Sequence, residues 1–508
     1  MVDPTGGSLH PNRAPVSRFE RPPAAHRGRA LVWGATGIVV GLAVVRRWQQ
    51  MGPFPTGLDG GQWLALGRGL TGVGRSTEGA YAPLVPALTA VTTSLAGPMT
   101  GLKVVAMLSL VATLLGTAML AGLGLSGPWR VALVVGAASA TAVTEPLAYG
   151  GYPQLIALGA LLAAAAVQAQ SVVDPAPWRR RALSALLLVA VVAHHVYGPL
   201  ALLCAAAVWA FRVAPDPSAR RSVRATCDGL LPLLPAAMVA LIVLAEFVRA
   251  GYAPPLDASG LGRRDAFLYA TREAPLIWAL VVAVAVVALV ARPLPREPFW
   301  LAAASLVAVP SALFLIAPEP RLLPPTLVGA LAVILRAASR TLSARRTRLA
   351  AGVVAVAMLA AMTFAGDAAA DRYFAFYRVA SPSLIAATQA AQQDGDGTIA
   401  VRANQRGWPV GWWWEGLTNR RIAVGSDPRW LGFPQEREQA ALAAQFFSAP
   451  LAASELRALA GATGVRVLAC NPHEWIGWQR WLAGPDPPVR VLYQDSDWLV
   501  MRVVTARP

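Results

Sequence analysis

The chain has 508 residues, is 56% hydrophobic and only 14% charged, and carries a formal net charge of +17. Soluble domains are about a quarter charged, so the composition excludes an ordinary soluble protein and indicates a polytopic helical membrane protein. The basicity is no nucleic-acid footprint: residues 1–366 hold 30 basic against 14 acidic groups, residues 367–508 hold 14 against 13, and the arginines bunch between apolar runs. That is the positive-inside pattern, and no nucleic-acid partner is expected.

Residues 1–29 form a basic, proline-rich tail with Arg13, Arg18, Arg21, Arg27 and Arg29, expected to be cytoplasmic. No small-residue cleavage site follows the run at 31–45, which reads as a retained first span. Further apolar runs fall at about 102–124, 131–148, 155–172, 182–211, 230–248, 276–291, 299–316, 321–339 and 349–366. Each long run suits a hydrocarbon core of about 30 Å. Arginine clusters at 130, 179–181, 212–224, 292–296 and 336–348 place the intervening loops in the cytoplasm.

The run 182–211 has arginines at both ends, and as one helix it would reach about 45 Å. A hairpin broken at "HHVYGP", with Gly198-Pro199 as the break, resolves both facts and puts His194, His195 and Tyr197 near the floor of an outward cavity. The stretch 83–98, short and bounded by Pro and Gly, reads as a surface or partly re-entrant helix, since a crossing there would invert every later loop. The scheme has about eleven crossings, a first outer loop at 46–101, a transmembrane domain over 30–366, and an exoplasmic tail at 367–508. The tail's runs "TIAVRA", "RIAVGS", "GVRVLAC", "VRVLYQ" and "WLVMRVV", with an alanine-rich helix at 436–446, indicate a small α/β domain.

The outward loops gather the chemistry-bearing residues. In "PFPTGLDGGQWLALGRGL", Asp59 is the one acid, and Glu78 and Tyr81 follow in the same loop. "TEPLAYGGYPQL" adds Glu145, Tyr149, Tyr152 and Gln154. Arg263 and Arg264 lie in a later outer loop, and Arg321 opens a span. An acid near bilayer depth is costly unless solvated or paired. For Asp59 a functional role stands beside a solvated loop acid or an N-cap for a helix starting at Gly60. Glu145 reads as a cavity-lining acid or a cap. Adjacent His194 and His195 read as a cavity wall rather than a metal pair, since neighbours on one helix point about 100° apart. Nine of the seventeen tryptophans follow residue 407, and core packing or interface anchoring accounts for "GWPVGWWWEGLTNRR" as well as sugar stacking does. The three cysteines form no pattern, and no Walker loop, HExxH, GxSxG or CxxC element is present.

An acid soon after the first span, surface helices in the first outer loop, the proline-marked "YAPLVPAL", a hairpin broken near Gly-Pro and an exoplasmic tail together resemble the GT-C membrane glycosyltransferases. The pattern is similar to their protein mannosyltransferase and aminoarabinose transferase branch. The resemblance implies a bacterial multi-pass membrane enzyme that takes a sugar from a polyprenyl-phosphate donor. Its partners would be membrane lipids and an envelope glycan, lipid or protein acceptor. It implies catalytic roles for Asp59 as the first-loop acid and Glu78 as the second. Substrate-binding roles fall to Tyr81, Glu145, Tyr152, Gln154, His194, His195, Arg263, Arg264 and Arg321, with an arginine facing the leaving phosphate. Asp59 departs from the pattern in lacking an adjacent second acid. No cofactor is implied as fixed; a divalent metal is compatible, though no ligand set assembles from the sequence. A transporter or flippase and a non-catalytic relative binding envelope lipids are the competing readings, and a polysaccharide ligase or polymerase is a third.

Overall fold

The computed structural model describes residues 23–71, 81–214, 223–253, 262–272, 275–290, 297–341, 363–483 and 485–504. Glu78 and most of the run 349–366 lie outside the described residues.

The first apolar run lies in α1 (Pro23–Met51), and a loop leads to α2 (Gly60–Leu70) and α3 (Leu84–Ala96). With 13 residues, α3 extends about 20 Å and is too short to cross the core. Then come α4 (Pro98–Gly122), α5 (Gly127–Ser139), α6 (Thr141–Tyr149), α7 (Tyr152–Val173), α8 (Pro177–Ala193) and α9 (Tyr197–Val213). The membrane part continues through α10 (Val223–Leu230), α11 (Leu234–Arg249), α12 (Arg263–Thr271), α13 (Pro275–Val290), α14 (Pro298–Ile316) and α15 (Leu323–Thr341). Among the described residues five helical stretches are long and apolar enough to cross a membrane, or up to seven if each bent pair is one span.

The bundle is built around α7, buried along nearly its whole length and packed on α4, α8, α9 and α14. Helices in lipid gain little from apolar burial against one another, so close backbone approach matters. Here it comes from a glycine pair: a Cβ on Gly116 of α4 would stand 2.1 Å from the Gly159 carbonyl oxygen, and one on Gly159 2.2 Å from that of Ala112. Thr113 Oγ1 bridges the same crossing by donating to the Leu155 carbonyl at 2.7 Å.

The 182–211 run is a broken hairpin, but the break falls earlier than expected. His194 is extended (φ −154°, ψ 130°), and its Nδ1 accepts from the N–H groups of Val196 and Tyr197 at 3.1 and 3.3 Å. Gly198 and Pro199 lie inside the first turn of α9, where proline's missing N–H has no helical partner to lose. The imidazole therefore ends one arm and caps the next.

Loops segregate to two ends of the bundle. At one end Asp59 N–H donates to the Tyr149 carbonyl, His195 packs on Tyr252, Arg263 reaches the end of α14, and the tail docks. At the other, Arg336 bonds the Gly124 carbonyl and, with Arg340, pairs with Glu297. These groupings match the two sets of loops that the arginine pattern separates.

A helix over 363–376 (α16) leads into the tail, whose helices are α17 (Pro382–Gln393), α18 (Gly411–Leu417), α19 (Pro434–Phe447), α20 (Ala453–Thr463) and α21 (Trp478–Leu482). The five strands anticipated from β-like runs are present as β1 (Thr398–Val401), β2 (Ile422–Val424), β3 (Val465–Cys470), β4 (Val489–Gln494) and β5 (Leu499–Val503). They form one mixed sheet in the order β2-β1-β3-β5-β4, with β1 parallel to β2 and β3, and β5 antiparallel to β3 and β4. Strand alternation gives the sheet two different faces. Ala400, Leu468 and Met501 pack under α19 and α20 with Phe446 and Leu456, whereas Ile399, Val401, Val467 and Val500 join a core continuous with the membrane helices. The tail is thus fused to the bundle by shared apolar packing.

Candidate functional site

The loop before α2 is gripped from three sides. Asp59 N–H donates to the Tyr149 carbonyl at 3.0 Å, and Trp63 Nε1 donates to the Gly150 carbonyl at 2.7 Å. Tyr152, fully buried, donates its hydroxyl to the Thr56 carbonyl at 3.1 Å. From the tail, Trp413 Nε1 donates to the Gly57 carbonyl at 3.0 Å, and Arg68 of α2 returns bonds to the carbonyls of Gly416 and Thr418 at 2.9 and 3.1 Å. The tryptophan cluster therefore packs as core, with Trp413 and Trp414 fully buried.

Asp59 stands at the N-cap position of α2, yet its carboxylate makes no capping hydrogen bond. Among the described residues it has no hydrogen-bond or ion-pair partner at all, so the N-cap reading does not describe this side chain. Two charges bear on it. Burial pushes its pKa up to about 7, Arg321 opposes that shift, and Glu436 reinforces it.

Arg321 sits in a short 3₁₀ turn, Pro320–Leu322, capped by Glu319. Glu319 accepts from the Arg321 N–H at 3.2 Å and pairs with its Nε at 3.3 Å. The guanidinium is within electrostatic reach of Asp59, His194, His195, Tyr149, Tyr197 and Tyr252. Residues from the first outer loop, the turn after α6, the broken hairpin, the segment after α11 and the start of α15 thus converge on one place.

The tail contributes there too. Glu436, on the first turn of α19, accepts at Oε1 from the Tyr81 hydroxyl (2.8 Å) and from Gln62 Nε2 (3.2 Å). Its Oε2 accepts from the N–H groups of Gly432 and Phe433 at 3.0 and 3.1 Å. Burial raises the Glu436 pKa, and burial together with Glu436 pushes the Tyr81 phenol well above its ordinary value. Phe433 packs on Tyr81 (5.0 Å), Tyr252 (5.2 Å) and Phe247 (5.8 Å), and Tyr81 meets Trp63 edge-on at 5.8 Å. These rings form an apolar wall beside Asp59 and Arg321.

The other candidates are placed differently. Glu145 is buried, ion-paired with Arg272, and accepts from the Tyr377 hydroxyl at 2.9 Å. Arg272 in turn reaches Tyr373 Oη at 2.8 Å. That network ties α6 to the lead-in of the tail. Gln154 accepts from the Tyr149 hydroxyl at 2.6 Å and so braces the turn that receives Asp59. The two imidazoles stack nearly parallel (centroids 4.7 Å apart, planes at 16°), not about 100° apart, because the backbone at His194 is not helical. His195 faces Phe247 and Tyr252. Arg263 and Arg264 are exposed, and Arg263 Nε donates to the Leu315 carbonyl at 2.8 Å. Among the described residues no three His, Cys, Asp or Glu side chains converge as a metal set.

Glu436, Gln62, Trp63, Phe247, Tyr252 and Phe433 are site residues that the sequence reading missed. Only Glu436 carries a local signal, as the third residue of the helix starting at Pro434, where a glutamate commonly accepts from the N-cap N–H, here that of Phe433.

No protein-family model matches the chain, and no curated protein matches it. Solved structures do. ArnT from Cupriavidus metallidurans bound to undecaprenyl phosphate aligns with a TM-score of 0.58 at 14% identity, over 93% of this chain and 98% of that one. The same protein in the apo state aligns at 0.55 over the same shares. The fold expected from the broken hairpin, first-loop helices and tail is thus the observed one: the chain has the membrane fold of ArnT, an aminoarabinose transferase of the GT-C class.

Proposed function

We propose that the protein transfers a sugar from a polyprenyl-phosphate donor to an envelope acceptor on the outer face of a bacterial cell membrane. The observation that carries this reading is an uncapped, unpaired Asp59 carboxylate facing Arg321, in a fold whose relative was solved with undecaprenyl phosphate bound.

The chemistry follows from those two groups. The acceptor hydroxyl attacks the anomeric carbon, the bond from that carbon to the phosphate oxygen breaks, and the hydroxyl proton passes to Asp59. A value near 7 suits a base at neutral pH, and a positioned base contributes about 10²–10⁴-fold. Charge developing on the departing lipid phosphate meets the Arg321 guanidinium, which binds phosphate through several N–H donors. The wall of Trp63, Tyr81, Phe247, Tyr252 and Phe433 excludes water beside them. Glu78 is proposed as the second acid, and Gln154, Tyr152 and His194 as residues that shape the site without touching the reacting atoms. In this topology the chain crosses about eleven times, with its N-terminus cytoplasmic and the tail outside.

Binding is tested by thermal unfolding of the purified protein against undecaprenyl phosphate and undecaprenol. A ligand at a hundred times its Kd stabilises the native state by about 2.7 kcal/mol. The lipid phosphate should raise Tm, undecaprenol should not, and Arg321→Gln should abolish the difference. Equal effects of the two lipids on the wild type would refute phosphate recognition at Arg321.

A further inference from the structure

We propose that Glu436 is a positioning residue for Asp59: delivered by the tail and pinned to the turn of α2 that Asp59 begins, its carboxylate strengthens Asp59 as a proton acceptor. The role as base rests on the transferase reading; the coupling of the two carboxylates rests on geometry.

That geometry has three parts. Gln62 stands three residues after Asp59, and its amide donates to Glu436 at 3.2 Å, so the tail carboxylate is tied to the same helical turn as the base. Tyr81 donates to the same oxygen at 2.8 Å, and the N–H groups of Gly432 and Phe433 hold the other oxygen. Finally, Phe433 is lodged among Tyr81, Tyr252 and Phe247, and Ala253 N–H donates to the Gly432 carbonyl at 2.9 Å. Segment 431–436 cannot swing away without breaking all of these.

Four donors on one carboxylate oppose the burial that raises the Glu436 pKa and favour its ionised form locally. In that ionised form its charge makes loss of the Asp59 proton harder and the ionised Asp59 a stronger base, while Arg321 pulls the other way. The remaining titratable groups facing Asp59 among the described residues are the phenols of Tyr81 (before α3), Tyr149 (α6) and Tyr152 (α7). Phenols carry no charge in the range concerned, so Arg321 and Glu436 are the charges that act on top of burial, the largest influence on Asp59. The tail is on this account a part of the site and not only its cover.

The test reads Asp59 directly. Dicyclohexylcarbodiimide modifies protonated carboxyls, so the pH dependence of Asp59 labelling in nanodiscs, followed by mass spectrometry, reports its titration in the full-length protein. Glu436→Gln is the first variant: its amide oxygen takes the Gly432 and Phe433 N–H groups, and its amide nitrogen faces Tyr81 and a flipped Gln62. Labelling of Asp59 at pH 7 should fall about twofold or more, the change expected for a midpoint lowered by half a unit. Tyr81→Phe keeps the ring contacts, removes one donor from Glu436, and should move the midpoint the same way by less. Sugar transfer is measured in parallel. A lowered midpoint with transfer whose acid limb moves equally supports both readings. A lowered midpoint without any wild-type transfer supports the coupling and overturns the transferase. An unmoved midpoint in both variants, with the tail still docked by limited proteolysis, overturns the proposal whatever the transfer assay shows.

Discussion

Replacing Gly61 by alanine should undo the docking of the tail on α2. Gly61 is the second residue of α2, and a Cβ there would lie 2.4 Å from Trp413 N, 2.5 Å from Trp413 Cα and 2.6 Å from the Trp412 carbonyl carbon. All three are backbone atoms of α18, so no side-chain rotation relieves the clash. Ordinary contact begins at about 3.4 Å, so α18 must retreat by about 1 Å, which pulls Trp413 Nε1 from the Gly57 carbonyl. Overpacking of this kind costs about 1–3 kcal/mol, against a gain of up to about 1 kcal/mol from alanine in a helix. Gly41→Ala is the matched control, because a Cβ at Gly41 meets nothing within 4 Å. Thermal unfolding of the two purified variants, with limited proteolysis of the tail, measures the difference. Gly61→Ala should lower Tm and expose the tail to protease while Gly41→Ala does neither. A Gly61→Ala protein with wild-type Tm and wild-type protease resistance would refute the fused core.

Asp59 also ties stability to pH. Burial raises its folded value from 3.8 to about 7, so the fold favours the protonated acid. That contribution is complete below about pH 4 and is lost as pH rises through 7, whereas a base gains activity over the same interval. Asp59→Asn should therefore be more stable than wild type at pH 8 and comparable at pH 4 by calorimetry. Arg272→Gln leaves Glu145, whose side chain is only 7% exposed, without its cation and should cost about 3–5 kcal/mol. The double variant with Glu145→Gln should recover most of that loss, as unfolding in detergent would show. His194→Ala removes the cap of α9 and should cost about 0.5–2 kcal/mol by unfolding in detergent, whereas His195→Ala loses ring packing on Phe247 and Tyr252 but no cap bond.

What the sequence made legible depended on period and spacing. Apolar runs and arginine clusters marked the membrane class and two sets of loops, because span length and flanking charge are local properties. The five tail strands were readable for the same reason. The hairpin break was misplaced because Gly-Pro signals a turn and the first turn of a helix equally well, and the extended His194 decides between them. Asp59 could be singled out, but whether its carboxylate capped α2 was open until its surroundings were known. Glu436 was illegible as a site residue: Gln62, its partner, is 374 residues away, and locally it is an ordinary first-turn glutamate bonded to the N-cap N–H. The same holds for Trp413, whose value lies in the glycine opposite it on α2. Contacts that join distant segments leave no periodic trace in one sequence.

The measurement closest to the central claim is turnover of radiolabelled polyprenyl-phosphate sugars by the purified protein in nanodiscs, comparing wild type with Asp59→Asn. Transfer or slow hydrolysis is expected of the wild type, and a loss of about 10²–10⁴-fold in a variant that still folds and still binds undecaprenyl phosphate. Equal turnover by both proteins, or a wild type that binds the lipid yet stays silent across a broad donor panel, would contradict it.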